Sequence, residues 1–135
     1  MRILFDTNVL VDAVVEERPY HEEAVFLINQ VEKGHLSGVI TPLSVGTLWY
    51  LGTTHYNVDP RPLLQALTDI MDFAPMGRAI LKRALTYSMD TDLEDMYVAE
   101  AGKAGGVSAV VTRNERDFGP VDLTVYHPAE LSALL

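Results

Sequence analysis

The distance between the short apolar runs constrains this chain most. RILF (2–5), GVIT (38–41), SAVVT (108–112) and LTVY (123–126) read as strands, with DFAP (72–75) as a further short one. Most of them are separated by segments of helical period far too long for hairpins. A strand that passes through a helix before its neighbour returns parallel to it, by a right-handed crossover. The expected product is an α/β fold, a mainly parallel five-stranded sheet covered by helices on both faces. The 135 residues suit a single domain, 1–135, with no repeat, linker or low-complexity tract.

The helical segments carry their own punctuation. One is expected over 8–16, interrupted by ERP (17–19). A second runs from Tyr20 to Lys33, with Val25, Ile28 and Val31 inward and Gly34 as its stop. Pro42 suits the first position of a third, which carries Leu43, Leu48, Trp49 and Leu51. After Asp59-Pro60, the residues Leu63, Leu64, Leu67, Ile70 and Met71 recur as a one-sided stripe. A helix from Gly77 to Tyr87 turns Ile80, Leu81, Ala84 and Leu85 inward. Thr91-Asp92-Leu93-Glu94 has the form of a capping box, and its helix stops at Gly105-Gly106. Pro128 opens a last short helix.

In sheets of this kind ligands gather beyond the carboxyl ends of the strands, where strand order reverses. Asp6 follows the first strand, and Thr112, Asn114 and Asp117 follow the fourth. If those strands are neighbours, their acids meet. Each Asp also has an ordinary reading as a helix cap, worth ~1 kcal/mol, and Asp92 as a first-turn acid facing the helix dipole. Asp95 goes further: it stands a turn inside its helix, three residues from Asp92 and on the same side. Converging carboxylates repel one another, and a hard divalent cation with oxygen ligands offsets that repulsion. Composition narrows the cation. There is no Cys, and the four His (His21, His35, His55, His127) lack ligand spacing, which disfavours zinc and leaves magnesium or manganese. The net charge of −9 argues against nonspecific nucleic-acid binding and favours cationic partners.

FDTNVLVDA (5–13) together with DLEDMYVAEAGKAGGVSAVVTRNERDF (92–118) resembles the PIN-domain nucleases, many of which are the toxin half of VapBC-type toxin–antitoxin modules. The likeness covers nearly the whole chain. D-T-N alone says little, whereas D-T-N near residue 6 with E-D and V-T-R-N-x-x-D-F at this separation is far more specific. The resemblance implies a three-layer α/β/α sandwich with strand order 3-2-1-4-5. It implies a metal-dependent endoribonuclease, a hydrolase of RNA phosphodiester bonds, in which Asp6, Asp95 and Asp117 are the catalytic and metal-binding carboxylates of one pocket. The implied cofactor is Mg²⁺ or Mn²⁺, with Asp92 a further candidate ligand. Asn8, Thr112 and Asn114 would position water or a phosphate. The implied partners are RNA, a second copy of the chain in a homodimer, and a basic-tailed antitoxin that lays Arg or Lys into the pocket.

One departure stands out. Many PIN nucleases carry a Glu on the helix after strand two, and Thr47 stands there in this chain. This segment is similar to a branch of the family with Ser/Thr-Leu and a nearby Tyr. Losing one of four carboxylates should weaken a second cation site or make it depend on substrate phosphate. Thr47 and the acidic surface both suit an alternative, a PIN fold that binds RNA or protein without cutting. A haloacid-dehalogenase-type phosphatase would need an Asp where Asn8 stands, and a receiver domain would need adjacent early acids and a late Lys.

Beside the acidic motifs, Arg113 and Arg116 read as solvated loop charges or as holders of flanking phosphates. Trp49, Tyr50 and Tyr56 read as core or dimer-face residues before base-stacking ones, and Tyr97 as core. No leader-like segment opens the chain and no apolar run approaches the ~18 residues that span a bilayer. No membrane association and a cytoplasmic address are therefore expected.

Overall fold

Five strands form the sheet: β1 (Arg2–Phe5), β2 (Ser37–Ile40), β3 (Asp72–Phe73), β4 (Ala109–Val111) and β5 (Thr124–Tyr126). In the computed structural model, which describes residues 1–135, they lie in the order β3-β2-β1-β4-β5 with every neighbouring pair parallel. This is the order that the resemblance to PIN domains implies. The central pairing aligns Ile3 with Ala109, Leu4 with Val110 and Phe5 with Val111.

Seven helices connect and cover the strands: α1 (Thr7–Val14), α2 (His21–Glu32), α3 (Pro42–Tyr50), α4 (Arg61–Ile70), α5 (Arg78–Ala84), α6 (Leu93–Ala104) and α7 (Pro128–Ala133). Because side chains alternate along a strand, the sheet feeds two cores. Ile3, Phe5, Ile40, Ala109 and Val111 pack with Leu10 of α1, Leu27 of α2, Leu67 of α4 and Leu131 of α7. Leu4, Val39 and Val110 face the other way, against Ile80 of α5 and Met96 and Val98 of α6. Strands buried on both faces explain why RILF and SAVVT are nearly all apolar instead of alternating. No helix is long and apolar enough to cross a membrane.

Several local expectations shift. Helix α1 starts at Thr7 and ends at Val14, earlier than 8–16 at both ends. Leu85 is not inward but 59% exposed, because α5 ends at Ala84 and the chain turns away. Trp49 and Tyr50 are exposed and form no part of the core. Val25 is half-buried beside the inward Ile28 and Val31. The Thr91–Glu94 capping box does not form. Asp92 is the N-cap of α6, accepting from the Asp95 N–H at 3.0 Å, while the Thr91 hydroxyl donates to the Ser88 carbonyl.

Helix α6 lies close against the central strand. A Cβ at Gly102 would sit 2.8 Å from Leu4 Cδ2, so glycine permits the approach. This matters for the site, since α6 carries Asp95.

Candidate functional site

The site begins where β1 and β4 end side by side. The Asp6 N–H continues the ladder to the Val111 carbonyl at 3.1 Å, and the Thr112 N–H bonds the Tyr126 carbonyl at 2.9 Å. β1 has β2 on one side and β4 on the other, so this is the point where strand order reverses. Asp6 is the N-cap of α1: one carboxylate oxygen accepts from the Thr7 N–H at 2.9 Å. The other accepts from the Thr112 hydroxyl at 2.8 Å. The capping role and the site role therefore fall on the same side chain.

Thr112 is fully buried, and its hydroxyl is saturated. It donates to Asp6 and accepts from Asn8 Nδ2 at 3.3 Å and from the Asn114 N–H at 3.0 Å, which uses its one donor and both lone pairs. It has nothing left for a water or phosphate. Its place is behind Asp6, which it orients. Asn8 ties the two strand ends together, its carbonyl accepting from the Arg113 N–H at 3.2 Å.

Helix α6 brings Asp95 in from the second side. Asp92 caps that helix, and its first turn presents Glu94 and Asp95 to the same hollow. A single 3₁₀ turn at Glu115–Phe118 brings Asp117: Phe118 is fully buried and pins the turn, leaving Asp117 exposed on the rim. Asp6, Asn8, Asp92, Glu94, Asp95, Asn114 and Asp117 line one cavity of about 330 Å³. All the candidate residues except Thr112 thus face a common space, and Thr112 stands directly beneath it.

Electrostatics there are unfavourable. Burial first, with the charges of Glu94 and Asp117 adding to it, pushes the Asp6 carboxyl up to about 6 against the lowering bonds from Thr112 and Thr7. Burial also lifts Asp95 to about 7, assisted by repulsion from Asp6, Asp92, Asp117 and Glu94. No salt bridge reaches any of these carboxylates. The donor set is oxygen-only and suits a hard divalent cation. The spacing is not preformed, since no three acidic or imidazole side chains converge closely enough to hold a metal ion as they stand.

Other side chains at the site escaped the sequence reading. Glu94, taken as half of a capping box, instead faces the cavity and accepts from the Thr47 hydroxyl at 3.1 Å. The position where a Glu was expected is thus bonded to a Glu from another helix. Asp12 is wholly buried, with Arg18 Nε 2.8 Å from one oxygen and Arg113 Nε 2.7 Å from the other. The first contact is an aligned hydrogen bond and the second an ion pair without one. Burial raises the Asp12 carboxyl, and the bond and charge of Arg18 pull it back. Arg113 is therefore neither a free loop charge nor a free phosphate holder, whereas Arg116 is exposed. Tyr56 is not simple core either: its hydroxyl accepts from Arg18 Nη1, and its ring lies 5.4 Å below that guanidinium. The signal for Asp12 was in the sequence, a carboxylate inside the apolar run of α1, the same kind of anomaly that marks Asp6.

A family model described as PIN domain matches residues 2–116. No curated protein matches the chain. Among solved structures, a toxin–antitoxin complex from Klebsiella pneumoniae is similar with a TM-score of 0.68 and 20% identity, over 93% of this chain and 97% of that one. VapBC2 from Rickettsia felis, bound to a DNA fragment from its promoter, is similar with a TM-score of 0.68 and 12% identity, over 94% of this chain and 98% of that one.

Proposed function

The chain belongs to the PIN-domain family, and from that premise we propose that it is a metal-dependent ribonuclease, the toxin of a toxin–antitoxin pair. The observation that carries this reading is the shared hollow: Asp6 and Asp95 come from distant parts of the chain, face one cavity, and are raised by burial and mutual repulsion with no salt bridge to either. In this reading Asp6, Asp95 and Asp117 hold Mg²⁺ or Mn²⁺, with Asp92 as a further ligand. An ion bound there would acidify a water and neutralise charge on an RNA phosphate. The chain's own residues prepare that chemistry. Thr112 and the Thr7 N–H fix Asp6, Asn8 joins the two strand ends, and Asn8 and Asn114 line the space where substrate or water would be positioned.

The partners follow from the same reading. The two similar structures are a toxin–antitoxin complex and a VapBC2 assembly, which supports an antitoxin for this chain as well. Its basic segment would meet the acidic hollow, and the toxin would act as a homodimer in the cytoplasm.

A second reading has its own observation. With no three carboxylates converged and Thr47 at the usual Glu position, the hollow as it stands sits closer to a PIN fold that binds RNA or protein without cutting. Incubation of the protein with labelled structured RNA, with and without Mg²⁺ or Mn²⁺, separates the two. Cleavage that requires metal and disappears in Asp6→Asn and Asp95→Asn supports the nuclease. RNA binding with no cleavage in any metal assigns the second reading. Full activity in Asp95→Asn, or activity without metal, overturns the assigned roles.

A further inference from the structure

Arg18 lies in the break between α1 and α2, and it is the only basic side chain lining the acidic hollow. It is held on three sides. Nε donates to the buried Asp12, Nη1 donates to the Tyr56 hydroxyl, and Cζ lies 5.4 Å from the centroid of the Tyr56 ring. Nη2 makes no hydrogen bond and is not among the buried unpartnered atoms. Asp12 is shared with Arg113, so two guanidiniums meet one buried carboxylate at this lip of the cavity, with Glu23 as a further charge near it. A purely structural ion pair would need neither the second arginine nor an open guanidinium edge at a cavity.

We propose that Arg18 is a phosphate subsite: its open edge takes an RNA backbone phosphate flanking the one that lies over the carboxylates, and Asp12 and Tyr56 are its positioning residues. Arginine suits this task because its planar fork matches phosphate oxygens and its charge does not titrate. A guanidinium already immobilised by neighbours loses little further freedom on binding. In a chain of net charge −9, one such contact beside the hollow would also set where a polyanion can enter. The inference rests on the reading of the hollow as an RNA site.

The test is fluorescence anisotropy with a labelled single-stranded RNA of mixed sequence, titrated in Mg²⁺ across a series of KCl concentrations, in the Asp95→Asn protein so that turnover is blocked. Adding Arg18→Gln should weaken binding about tenfold and flatten the slope of log affinity against log salt by about 0.7, the loss of one phosphate contact on a single strand. Arg18→Lys should restore the slope but only part of the affinity, since it keeps the charge and loses the fork. Tyr56→Phe should weaken binding and leave the slope unchanged. If Arg18→Gln lowers the melting temperature yet binds with the parent's affinity and slope, Arg18 is merely structural and this inference fails alone. If Arg18→Gln does not fold, Arg18→Lys decides, and affinity equal to the parent's overturns the subsite. If neither the Asp95→Asn parent nor the unaltered protein binds RNA in Mg²⁺, the subsite and the RNA reading of the hollow fall together.

Discussion

Helix α1 carries a carboxylate at each end, and the protein treats them in opposite ways. Asp12 is completely buried, and two arginines meet it, so its charge is answered inside the fold. Asp6, 6% exposed, is met only by a backbone N–H and a neutral hydroxyl, and its charged neighbours are further carboxylates. Helix α6 repeats the contrast. Asp95 near its start faces like charges, while the buried Glu100 bonds Tyr87 and Lys103 and lies 3.5 Å from Arg83. In both helices the carboxylate away from the hollow is compensated by the chain, and the one facing it is left to be compensated from outside.

The largest effect that can break this comparison is on stability. Asp12→Asn leaves two guanidiniums around a neutral group and should cost about 3 kcal/mol, the usual scale for removing one partner of a buried pair. Asp95→Asn removes repulsion and should leave stability unchanged or higher in the absence of divalent ions. Urea denaturation of the two variants measures both, and equal losses would erase the distinction.

Next in size is the response to pH. Asp6 and Asp95 bind protons more tightly folded than unfolded, with folded values near 6 and 7 against 3.8. Between those values the folded state holds more protons, so ΔG of unfolding falls as pH rises. The full gain is present below the unfolded value and is lost as pH passes upward through the folded ones. For the buried Asp6 the gain is roughly 2–3 kcal/mol. Asp95, only partly buried, adds less after screening. Denaturation curves across this range should show stability rising toward mild acid, and Asp95→Asn should flatten the trend.

A divalent ion should act as the missing counter-charge. Above neutral pH, Mg²⁺ or Mn²⁺ is expected to stabilise the protein by about 1–2 kcal/mol once its concentration exceeds the dissociation constant some tenfold. A thermal melt with and without the ion reads this. The shift should vanish in Asp95→Asn and persist in Asp12→Asn. The smallest effect is at the rim: Thr47→Ala removes an exposed hydrogen bond to Glu94 and should change stability by no more than ~0.5 kcal/mol.

Much of this was legible in the chain itself. The apolar runs and the long helical spacers dictated a parallel sheet, and Asp6 and Asp117 could be placed beyond strand ends because a polar residue interrupts or follows an apolar run there. Leu85 and the Thr91 cap were misread for a local reason: helix ends depend on which of several competing side chains wins the last or first backbone group, and Asp92 won over Thr91. Glu94 was misread for the same reason, since a box at that spacing is available in sequence whether or not it closes. Arg18 and Tyr56 were missed because nothing in ERP or in HYN announces a partner 38 positions away.

The sequence alone determined the layered α/β architecture, because burial on two faces forces a characteristic apolar pattern onto each strand. It also determined which carboxylates lie at strand ends and helix starts. Only the tertiary structure decided which of them share a space and which receive an arginine. Charge interactions act through distance in space, and the pairing of Asp12 with Arg113 and the isolation of Asp6 beside Thr112 exist only once β4 is laid beside β1.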